Sequence, residues 1–333
     1  MALGPHFLGT VAAGKNPYQK HFSATVYTGD GIYPRRIETG VAAGDGFIWI
    51  KRLDAAGTHQ QIWVDPDDSN VYWTRLIDSY YPSQFNPNRQ SFSPTGVAFH
   101  VSGFTLSSTL NVNNAEYVVW SFKNTPGFLD TFKYIGDQTA ERAIPHNLGT
   151  VPGMVWVEGS ITHNGFPLPN PNVYYNSFMT GNVTASYPWH GTTNPTSTDI
   201  YVGETPSNGG LNNTGTEYFV RTFAHNPTSQ GRSATGAYTG MGTGTPAQVI
   251  CGWHPRLIMI CGVSIGYGWR FVDTTRSPGF AGDDWVLSTT NDAQQQSSFV
   301  NLIPGGFEVI GEVSGGINNY NILGQTYAYV AIR

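Results

Sequence analysis

Residues 27–31 read Tyr-Thr-Gly-Asp-Gly, and this short turn decides the fold because the chain contains two further copies of it. Residues 134–137 read Tyr-Ile-Gly-Asp, and residues 238–242 read Tyr-Thr-Gly-Met-Gly. The spacings are 134 − 27 = 107 and 238 − 134 = 104 residues. A near-constant period of this size indicates one structural unit repeated three times in tandem.

A short apolar run follows each turn. These runs occupy residues 47–51, 154–158 and 257–261. Branched and aromatic residues dominate them, which predicts central strands that are buried on both faces.

A closing strand ends each unit and follows an asparagine pair. The pairs are residues 113–114, 212–213 and 318–319, and the closing strands contain Tyr117, Tyr218 and Tyr327. A Gly-Phe strand precedes the asparagine pair at Gly103 and at Gly306, and the second unit has no obvious counterpart.

Turn residues recur roughly every eight to twelve positions, which is typical of a sandwich of antiparallel strands. We therefore predict an all-β chain of three tandem antiparallel β-sandwich units, jelly-roll or lectin-like in type. The expected bounds are residues 1–22 for an extended N-terminal arm, then 23–131, 132–229 and 230–333 for the units. A single large β-protein with recurrent turn chemistry is the alternative.

Composition argues against several classes of function. Of the 333 residues, 12% are charged, the formal net charge is −5, and no basic block occurs, so we expect no binding to nucleic acid. No apolar run approaches the ~18 residues of a membrane span, and the N-terminus lacks the pattern of a signal peptide. We expect no membrane insertion.

The motifs resemble a repeated module of phage tail-fibre and other phage virion structural proteins. That module combines a Tyr-Thr-Gly-x-Gly turn, a Pro-His-x-Leu-Gly turn, an apolar strand with a tryptophan, an Asn-rich turn and a closing aromatic strand. The matches lie at residues 27–31, 47–51, 103–106 and 117–122 in the first unit, 144–156 in the second and, more loosely, 254–260 in the third. The first unit lacks the Pro-His-x-Leu-Gly turn. The resemblance implies a β-sandwich virion protein. It does not imply an active site.

The histidines and cysteines are predicted to be structural. Cys251 and Cys261 have apolar neighbours, which predicts buried free thiols, with a disulfide as the alternative. His254 lies close to Cys251 but completes no metal signature. His146 and His254 both precede a central strand, where we expect turn histidines satisfied by backbone groups.

The sequence patterns give little support to any catalytic or metal-binding residue, so we expect no enzymatic activity, no cofactor and no metal. Ser264 lies in a Gly-x-Ser-x-Gly match, but no histidine follows it, as the α/β-hydrolase order requires. Glu116 and Glu217 precede the closing tyrosines singly, and Thr326 replaces them in the third unit, whereas a glycosidase needs a carboxylate pair. Whether Asp65, Asp67 and Asp68 bind a cation stays open, and a solvated turn is favoured over a calcium loop. The pair Asp283-Asp284 is similarly interpreted as a turn before a strand.

Aromatic residues expected in loops are the best candidates for contact with a ligand or partner. They are Tyr80, Tyr81, Tyr174, Tyr175, Tyr187 and Trp189. Flat aromatic faces beside Asn and Asp suit sugars or proteins and have low conformational entropy to lose. Filling the joints between units or subunits is the equally weighted alternative.

These patterns lead to one main functional hypothesis and two others. The first is a tail-tip or tail-fibre component of a phage virion, assembled in the host cytoplasm, that recognises a host-surface glycan or protein. The second is a capsid decoration, or cement, protein that binds only other virion proteins. The third is a polysaccharide depolymerase. We also expect a homo-oligomer, and a rigid rod of three units suits a trimer.

Overall fold

The computed structural model of the chain describes some stretches with their side chains and others by backbone alone. Side chains are described for residues 21–55, 97–106, 108–157, 193–203, 211–262, 269–280, 293–310 and 319–333. Backbone alone is described for residues 59–64, 71–75, 90–91, 158–160, 174–176 and 284–288. Within these ranges the secondary structure is strands and two 3₁₀ turns without any α-helix, which confirms the predicted all-β fold.

The strands follow the three repeats along the chain. The first repeat contains β1 (Phe22–Thr28), β2 (Arg35–Glu38), β3 (Gly46–Arg52), β4 (His59–Val64), β5 (Val71–Arg75), β6 (Gln90–Ser91), β7 (Ala98–His100), β8 (Gly103–Leu106) and β9 (Glu116–Lys123). Its 3₁₀ turns are Ala43–Asp45 and Ser108–Leu110. The second contains β10 (Leu129–Ile135), β11 (Arg142–Pro145), β12 (Pro152–Ser160), β13 (Tyr174–Asn176), β14 (Asp199–Val202) and β15 (Glu217–Ala224). The third contains β16 (Ser233–Thr239), β17 (Ala247–Ile250), β18 (Leu257–Gly262), β19 (Arg270–Asp273), β20 (Asp284–Ser288), β21 (Gln295–Ser297), β22 (Val300–Ile303), β23 (Gly306–Val309) and β24 (Thr326–Ile332).

Each repeat is a sandwich of a large sheet and a small sheet. The large sheets have the strand orders β1-β9-β3-β4-β5-β6, β10-β15-β12-β13 and β16-β24-β18-β19-β20-β21. The small sheets are β2-β8-β7, β11-β14 and β17-β23-β22. In every large sheet the closing strand lies antiparallel between the first strand and the central strand.

The second repeat does have the small-sheet strand that its sequence seemed to lack. Ile200 in β14 pairs with Ile144 just as Phe104 in β8 pairs with Ile37. Isoleucine fills the position of phenylalanine in the core, so the letter pattern is lost while the strand is kept.

The central strands are buried on both faces, as predicted. In β3, Phe47 and Trp49 face one core while Ile48 and Ile50 face another. The same alternation occurs in β12 and β18. Ile48 and Ile50 pack against the small sheet of their own repeat, and Phe47 and Trp49 point towards the other two repeats. Each such burial stabilises the fold by about 2 kcal/mol.

A single core lies between the three large sheets, and we call it the central core. Its members include Phe47, Trp49, Trp120, Met154, Trp156, Phe223, Leu257, Met259 and Phe271. The Trp49 ring contacts both other repeats, with its centroid 5.4 Å from that of Trp156 and 4.6 Å from that of Phe271. Three units joined end to end could not share this contact. The large sheets therefore surround a common core and do not form the expected rod.

Two cations are also buried between the sheets. Lys51 lies on the same face of β3 as Trp49, and both Lys51 and Arg221 are fully buried. The Arg221 guanidinium lies 4.6 Å from the ring centroid of Phe219 and 5.3 Å from those of Phe47 and Trp156. Aromatic faces attract cations electrostatically, so Arg221 holds the second repeat against the first.

The three repeats meet head to tail. Strand β10 contacts β3 of the repeat before it, and β16 contacts β12 and β15. The first strand of the chain, β1, contacts the third repeat, because the Thr275 hydroxyl donates to the carbonyl oxygen of Ala24 at 3.3 Å. The Arg256 guanidinium also lies 5.7 Å from the ring centroid of Phe22. These contacts close the three repeats into a ring.

We call the contact between the third and first repeats the seam. The Trp120 indole Nε1 donates to Oδ2 of Asp273 at 3.1 Å, and Arg276 Nε donates to the same oxygen at 2.7 Å. The Arg276 guanidinium lies 5.5 Å from the Trp120 ring centroid. The backbone N–H of Gln294 donates to the carbonyl of Leu53 at 2.9 Å. Non-covalent contacts of side chains and backbone therefore hold the ring shut at the seam.

The strand pairing refines the expected boundaries. Strand β10 begins at Leu129, so residues 129–131 pair within the second large sheet and the first joint occupies residues 124–128. Of the expected arm, residues 1–20 lie outside the described residues, and β1 begins at Phe22. The described residues include no helix of the length and apolarity needed to cross a membrane.

Candidate contact surfaces

Each repeat has the same assembly of turns at the end of its first strand, which we call the tip. In the first repeat the rings of Tyr27 and Tyr117 stack with centroids 4.9 Å apart, and the Tyr27 hydroxyl donates to the carbonyl of Leu110 at 2.6 Å. The equivalent pairs are Tyr134 with Tyr218 at 4.9 Å and Tyr238 with Tyr327 at 5.0 Å. Burial raises the pKa of Tyr27, Tyr134 and Tyr238, so these hydroxyls are hydrogen-bond donors and not acids.

A buried asparagine holds each tip closed, and we call this residue the clamp. Asn212 Nδ2 donates to Oδ1 of Asp137 at 2.8 Å and to the carbonyl of Thr139 at 2.9 Å, while its Oδ1 accepts from the Asp137 backbone N–H at 3.1 Å. Asn111 makes the same three bonds with Asp30 and Ile32. Asn321 accepts from the Met241 backbone N–H and donates to the Thr245 carbonyl, and it also donates to the Gly242 carbonyl in place of a carboxylate. One side chain thereby satisfies donors and acceptors of two turns.

This geometry corrects the sequence alignment of the asparagines. The equivalent residues are Asn111, Asn212 and Asn321, not the first members of the three asparagine pairs. In the first repeat the pair at residues 113–114 comes two positions after the clamp, and in the third the pair at residues 318–319 comes before it. Hydrogen bonding, not the paired letters, fixes the equivalence.

The recurring glycine of each turn is required by close packing. A Cβ atom on Gly29, Gly136 or Gly240 would lie 2.0–2.1 Å from a carbonyl oxygen of the facing asparagine turn. A second turn position needs a left-handed backbone. It is Asn114 with φ 61° in the first repeat, and Gly215 and Gly324 with φ 71° and 76° in the others.

The outward chemistry of the tips differs between repeats. Hydrogen bonds from Thr139 and Asn212 lower the pKa of Asp137 to about 2. Bonds from the Ile32 backbone and from Asn111 lower the pKa of Asp30 in the same way. The third repeat has exposed Met241 at this position. The tip is therefore a conserved shape with a variable surface.

Both cysteines are free and buried, as predicted. Burial raises the pKa of the Cys251 thiol to about 11 and that of Cys261 to about 12. Cys251 Sγ lies 3.2 Å from the carbonyl oxygen of Trp253, its hydrogen-bond acceptor. Neither thiol is set up as a nucleophile, because the reactive thiolate is disfavoured at neutral pH.

His146 is a structural turn residue, as predicted. Its Nε2 lies 3.3 Å from the carbonyl oxygen of Thr196, and its Nδ1 accepts the Leu148 backbone N–H at 3.3 Å. Burial lowers the pKa of the imidazole.

His146 and His254 both precede a central strand, as predicted, but they are not equivalent positions of their repeats. The backbone N–H groups of Thr39, His146 and Cys251 donate to the carbonyl oxygens of Ser102, Thr198 and Gly305. Each of these acceptors immediately precedes the facing strand of the small sheet. Cys251 therefore occupies the place of His146, and His254 is an exposed residue three positions later.

The residues considered for catalysis form no described site. Glu116, Glu217 and Thr326 are the first residues of β9, β15 and β24, so each lies on a different large sheet. Ser264, Asp65, Asp67, Asp68 and Asp283 lie outside the described residues, and β20 begins at Asp284. Among the described residues no group of three or more His, Cys, Asp or Glu is arranged to hold a metal ion.

The six predicted contact aromatics fall in one topological position. We call the segment between the central strand and the returning small-sheet strands the insert of each repeat. The inserts are residues 53–97, 161–198 and 263–299. Tyr80 and Tyr81 belong to the first insert and lie outside the described residues, as do Tyr187 and Trp189 in the second.

Tyr174 and Tyr175 were expected in a loop, but they lie on a strand. Strand β13 pairs antiparallel with β12, with Tyr174 opposite Val157 and Tyr175 opposite Trp156. Tyrosine favours strands, and the edge of β12 away from β15 offers hydrogen bonds to an incoming segment. The insert thus extends the large sheet at its outer edge.

The third insert has a different use from the other two. Its residues Phe271, Asp273, Thr275, Arg276 and Gln294 form the seam with the first repeat. The candidate contact aromatics belong to the first and second inserts alone. Sequence reasoning missed this division because a seam residue and a solvent-facing loop residue have similar local sequence signals.

Comparison with known proteins places the chain in a family. The family described as "Domain of unknown function (DUF7483)" matches residues 17–333. The chain belongs to this family. Because the DUF7483 match runs across all three repeats, it spans the complete ring of sheets. No curated protein and no solved structure matches the chain.

Proposed function

We propose that this DUF7483 chain is a structural component of a phage virion, at a tail tip or tail fibre, where it contributes to recognition of the host surface. The observation that carries the proposal is the contrast between recurring scaffold and divergent inserts. Tips, central strands and closing strands repeat with nearly the same hydrogen bonds, while the inserts differ in sequence and in length, and the third packs against the first repeat at the seam.

The ring is a suitable support for contact residues. Its central core fixes the three large sheets relative to one another through rings such as Trp49, Trp156 and Phe271. Insertions at a sheet edge have a small entropic cost that grows slowly with their length. Binding residues are commonly carried on such segments above a rigid scaffold.

The chemistry of the first two inserts favours a sugar or protein ligand. They contain Tyr80, Tyr81, Tyr174, Tyr175, Tyr187 and Trp189, with Asn residues nearby in sequence. Aromatic faces pack on the apolar faces of sugars, and amides bond to hydroxyl groups. The low charge of the chain disfavours a polyanionic ligand.

Electron microscopy of virions labelled with an antibody to this chain tests the location. We expect label at the tail tip or fibres. Label on the head would contradict the proposal and would favour the decoration protein.

A glycan array tests recognition separately. The triple variant Tyr174→Ala, Tyr175→Ala and Trp189→Ala should lose binding that the wild-type chain shows, because the proposed contacts are gone. Tyr33→Ala is the matched control, since Tyr33 is an exposed tyrosine near the first tip and outside the inserts. Equal binding by the triple variant would remove these residues from the site. A fall in the viscosity of host capsular polysaccharide on incubation would instead indicate a depolymerase.

A further inference from the structure

The seam differs from an ordinary domain core in how its polar groups are satisfied. Asp273 and Arg276 form a buried ion pair, with side chains 0% and 3% exposed, entirely within the third repeat. The Thr275 and Arg276 backbone N–H groups also donate to Oδ1 of Asp273. Separation of the first repeat removes the Trp120 hydrogen bond but leaves the carboxylate and the guanidinium paired. Opening the seam therefore strands no charge, which is the main penalty of breaking a buried pair.

The composition of the seam is also that of a protein–protein interface. The Arg276 guanidinium lies over the Trp120 ring, and the Arg256 guanidinium lies over the Phe22 ring. Tryptophan and arginine are the residues that most often dominate the energy of interfaces between separate molecules. The seam also contains a solvent-exposed polar contact, from the Thr275 hydroxyl to the Ala24 carbonyl.

The seam is heterologous, since it joins a surface of the third repeat to a different surface of the first. A heterologous contact gives a closed ring when the rotation closes and an open chain of subunits when it does not. Within one molecule the contact closes after three repeats. The same two surfaces on two molecules are equally complementary.

We propose that the seam is a latent self-association surface, at which the third repeat of one molecule can bind the first repeat of a second copy of the same chain. The closed ring is the monomeric state. When the seam opens, its two faces become available to a neighbouring copy, and chains join head to tail. This property is independent of where the protein resides or what it recognises.

Cysteine cross-linking between two differently labelled copies tests the proposal. One copy carries Ala24→Cys and the other carries Thr275→Cys, residues that touch across the seam. The native thiols are buried, so they do not compete for a short bis-maleimide cross-linker. A cross-link between the two single variants requires the first repeat of one molecule to meet the third repeat of another.

The seam is loosened by Trp120→Phe, which removes the indole donor and leaves the Asp273–Arg276 pair in place. Loss of a hydrogen bond to a charged group corresponds to about a tenfold rise in the open fraction. We expect about tenfold more intermolecular cross-link when both copies carry Trp120→Phe.

Two controls make the result decisive. Ala24→Cys and Thr275→Cys in one chain should cross-link within the monomer, and failure there would overturn the seam geometry itself. Asn124→Cys and Thr131→Cys on separate copies probe a contact at the first joint, where Asn124 Nδ2 donates to the Thr131 hydroxyl at 2.9 Å. That pair should give no intermolecular product. An absence of Ala24–Thr275 product between loosened copies would contradict the proposal.

Discussion

Trp120 of the first repeat and Asp273 of the third are joined by a buried hydrogen bond of 3.1 Å, although 153 residues separate them in the chain. The bond lies where the last repeat returns to the first. It explains how three similar units become one closed body, because the same carboxylate also holds Arg276 of its own repeat.

Removal of the carboxylate at the seam should be costly. Asp273→Ala leaves the buried Arg276 guanidinium without its carboxylate, and loss of one partner of a buried pair lowers the free energy of unfolding by about 3–5 kcal/mol. Urea denaturation measures the change. Asp54→Ala is the control, because its ion pair with Arg52 is partly exposed and should contribute about 1 kcal/mol or less. Equal effects of the two variants would contradict the described seam.

The glycines of the tips should differ in their tolerance of substitution. Gly136→Ala places a Cβ 2.1 Å from the carbonyl oxygen of Asn213 and should lower the free energy of unfolding by about 3 kcal/mol. Gly215 has open space around it, so Gly215→Ala is opposed only by its left-handed backbone, at about 1 kcal/mol. Gly215→Asn should cost less than Gly215→Ala, because Asn114 adopts the same conformation in the first repeat. If thermal or urea unfolding showed a larger loss of stability from Gly215→Asn than from Gly215→Ala, the tips would not be equivalent.

The clamp asparagines should make similar contributions to the free energy of unfolding. Asn212→Ala removes a fully buried amide and leaves backbone groups of two turns unsatisfied, which should cost about 2–3 kcal/mol. Asn111→Ala should have a similar effect in its own repeat. Asn113→Ala is the control, since Asn113 belongs to the pair highlighted by the sequence but does not hold the clamp. A larger loss from Asn113→Ala than from Asn111→Ala would restore the original alignment.

Acid should weaken the second tip through Asp137. The folded-state pKa of this carboxyl is lowered to about 2 from an ordinary value of 3.8. The ionised carboxylate therefore stabilises the fold at pH values above 3.8, and this contribution is lost as the pH falls from about 4 towards 2. Urea midpoints of the wild-type chain and of Asp137→Asn should differ at pH 6 and converge at the acid end. A constant difference across this range would exclude the ionised form as its source.

The two cysteine thiols should not react with a thiol reagent until the chain unfolds. Because burial raises the pKa of Cys251 to about 11 and of Cys261 to about 12, neither should react with a thiol reagent at pH 8 in the native state. Both should react in denaturant. Rapid reaction of the native protein would show that the centre of the third repeat is open to solvent.

The recurring local chemistry of the fold was predictable from the sequence. The turns at Tyr27, Tyr134 and Tyr238 and the three apolar runs indicate repeated sandwiches, and the strands form where those runs lie. The ring was not predictable. Alternation along β3 places Phe47 and Trp49 on one face whether that face meets a small sheet or two neighbouring repeats, so periodicity cannot distinguish a rod from a ring.

The contact residues were only partly accessible to sequence reasoning. Their aromatic type and clustering indicated a surface, but their common topological position in the inserts becomes visible only once β3 and β12 are placed in their sheets. Seam residues such as Asp273 and Arg276 gave no signal, because an Asp and an Arg in a turn are ordinarily solvated.

The closed ring itself is tested most directly by a distance measurement across the seam. Spin labels on Ala24→Cys and Thr275→Cys in one chain report short separations through dipolar broadening of the continuous-wave electron paramagnetic resonance spectrum, and the buried native thiols stay unlabelled. The ring predicts strong broadening, because the hydroxyl of Thr275 lies 3.3 Å from the carbonyl oxygen of Ala24. A spectrum equal to the sum of the two singly labelled variants would contradict the ring and would indicate three units arranged in a row.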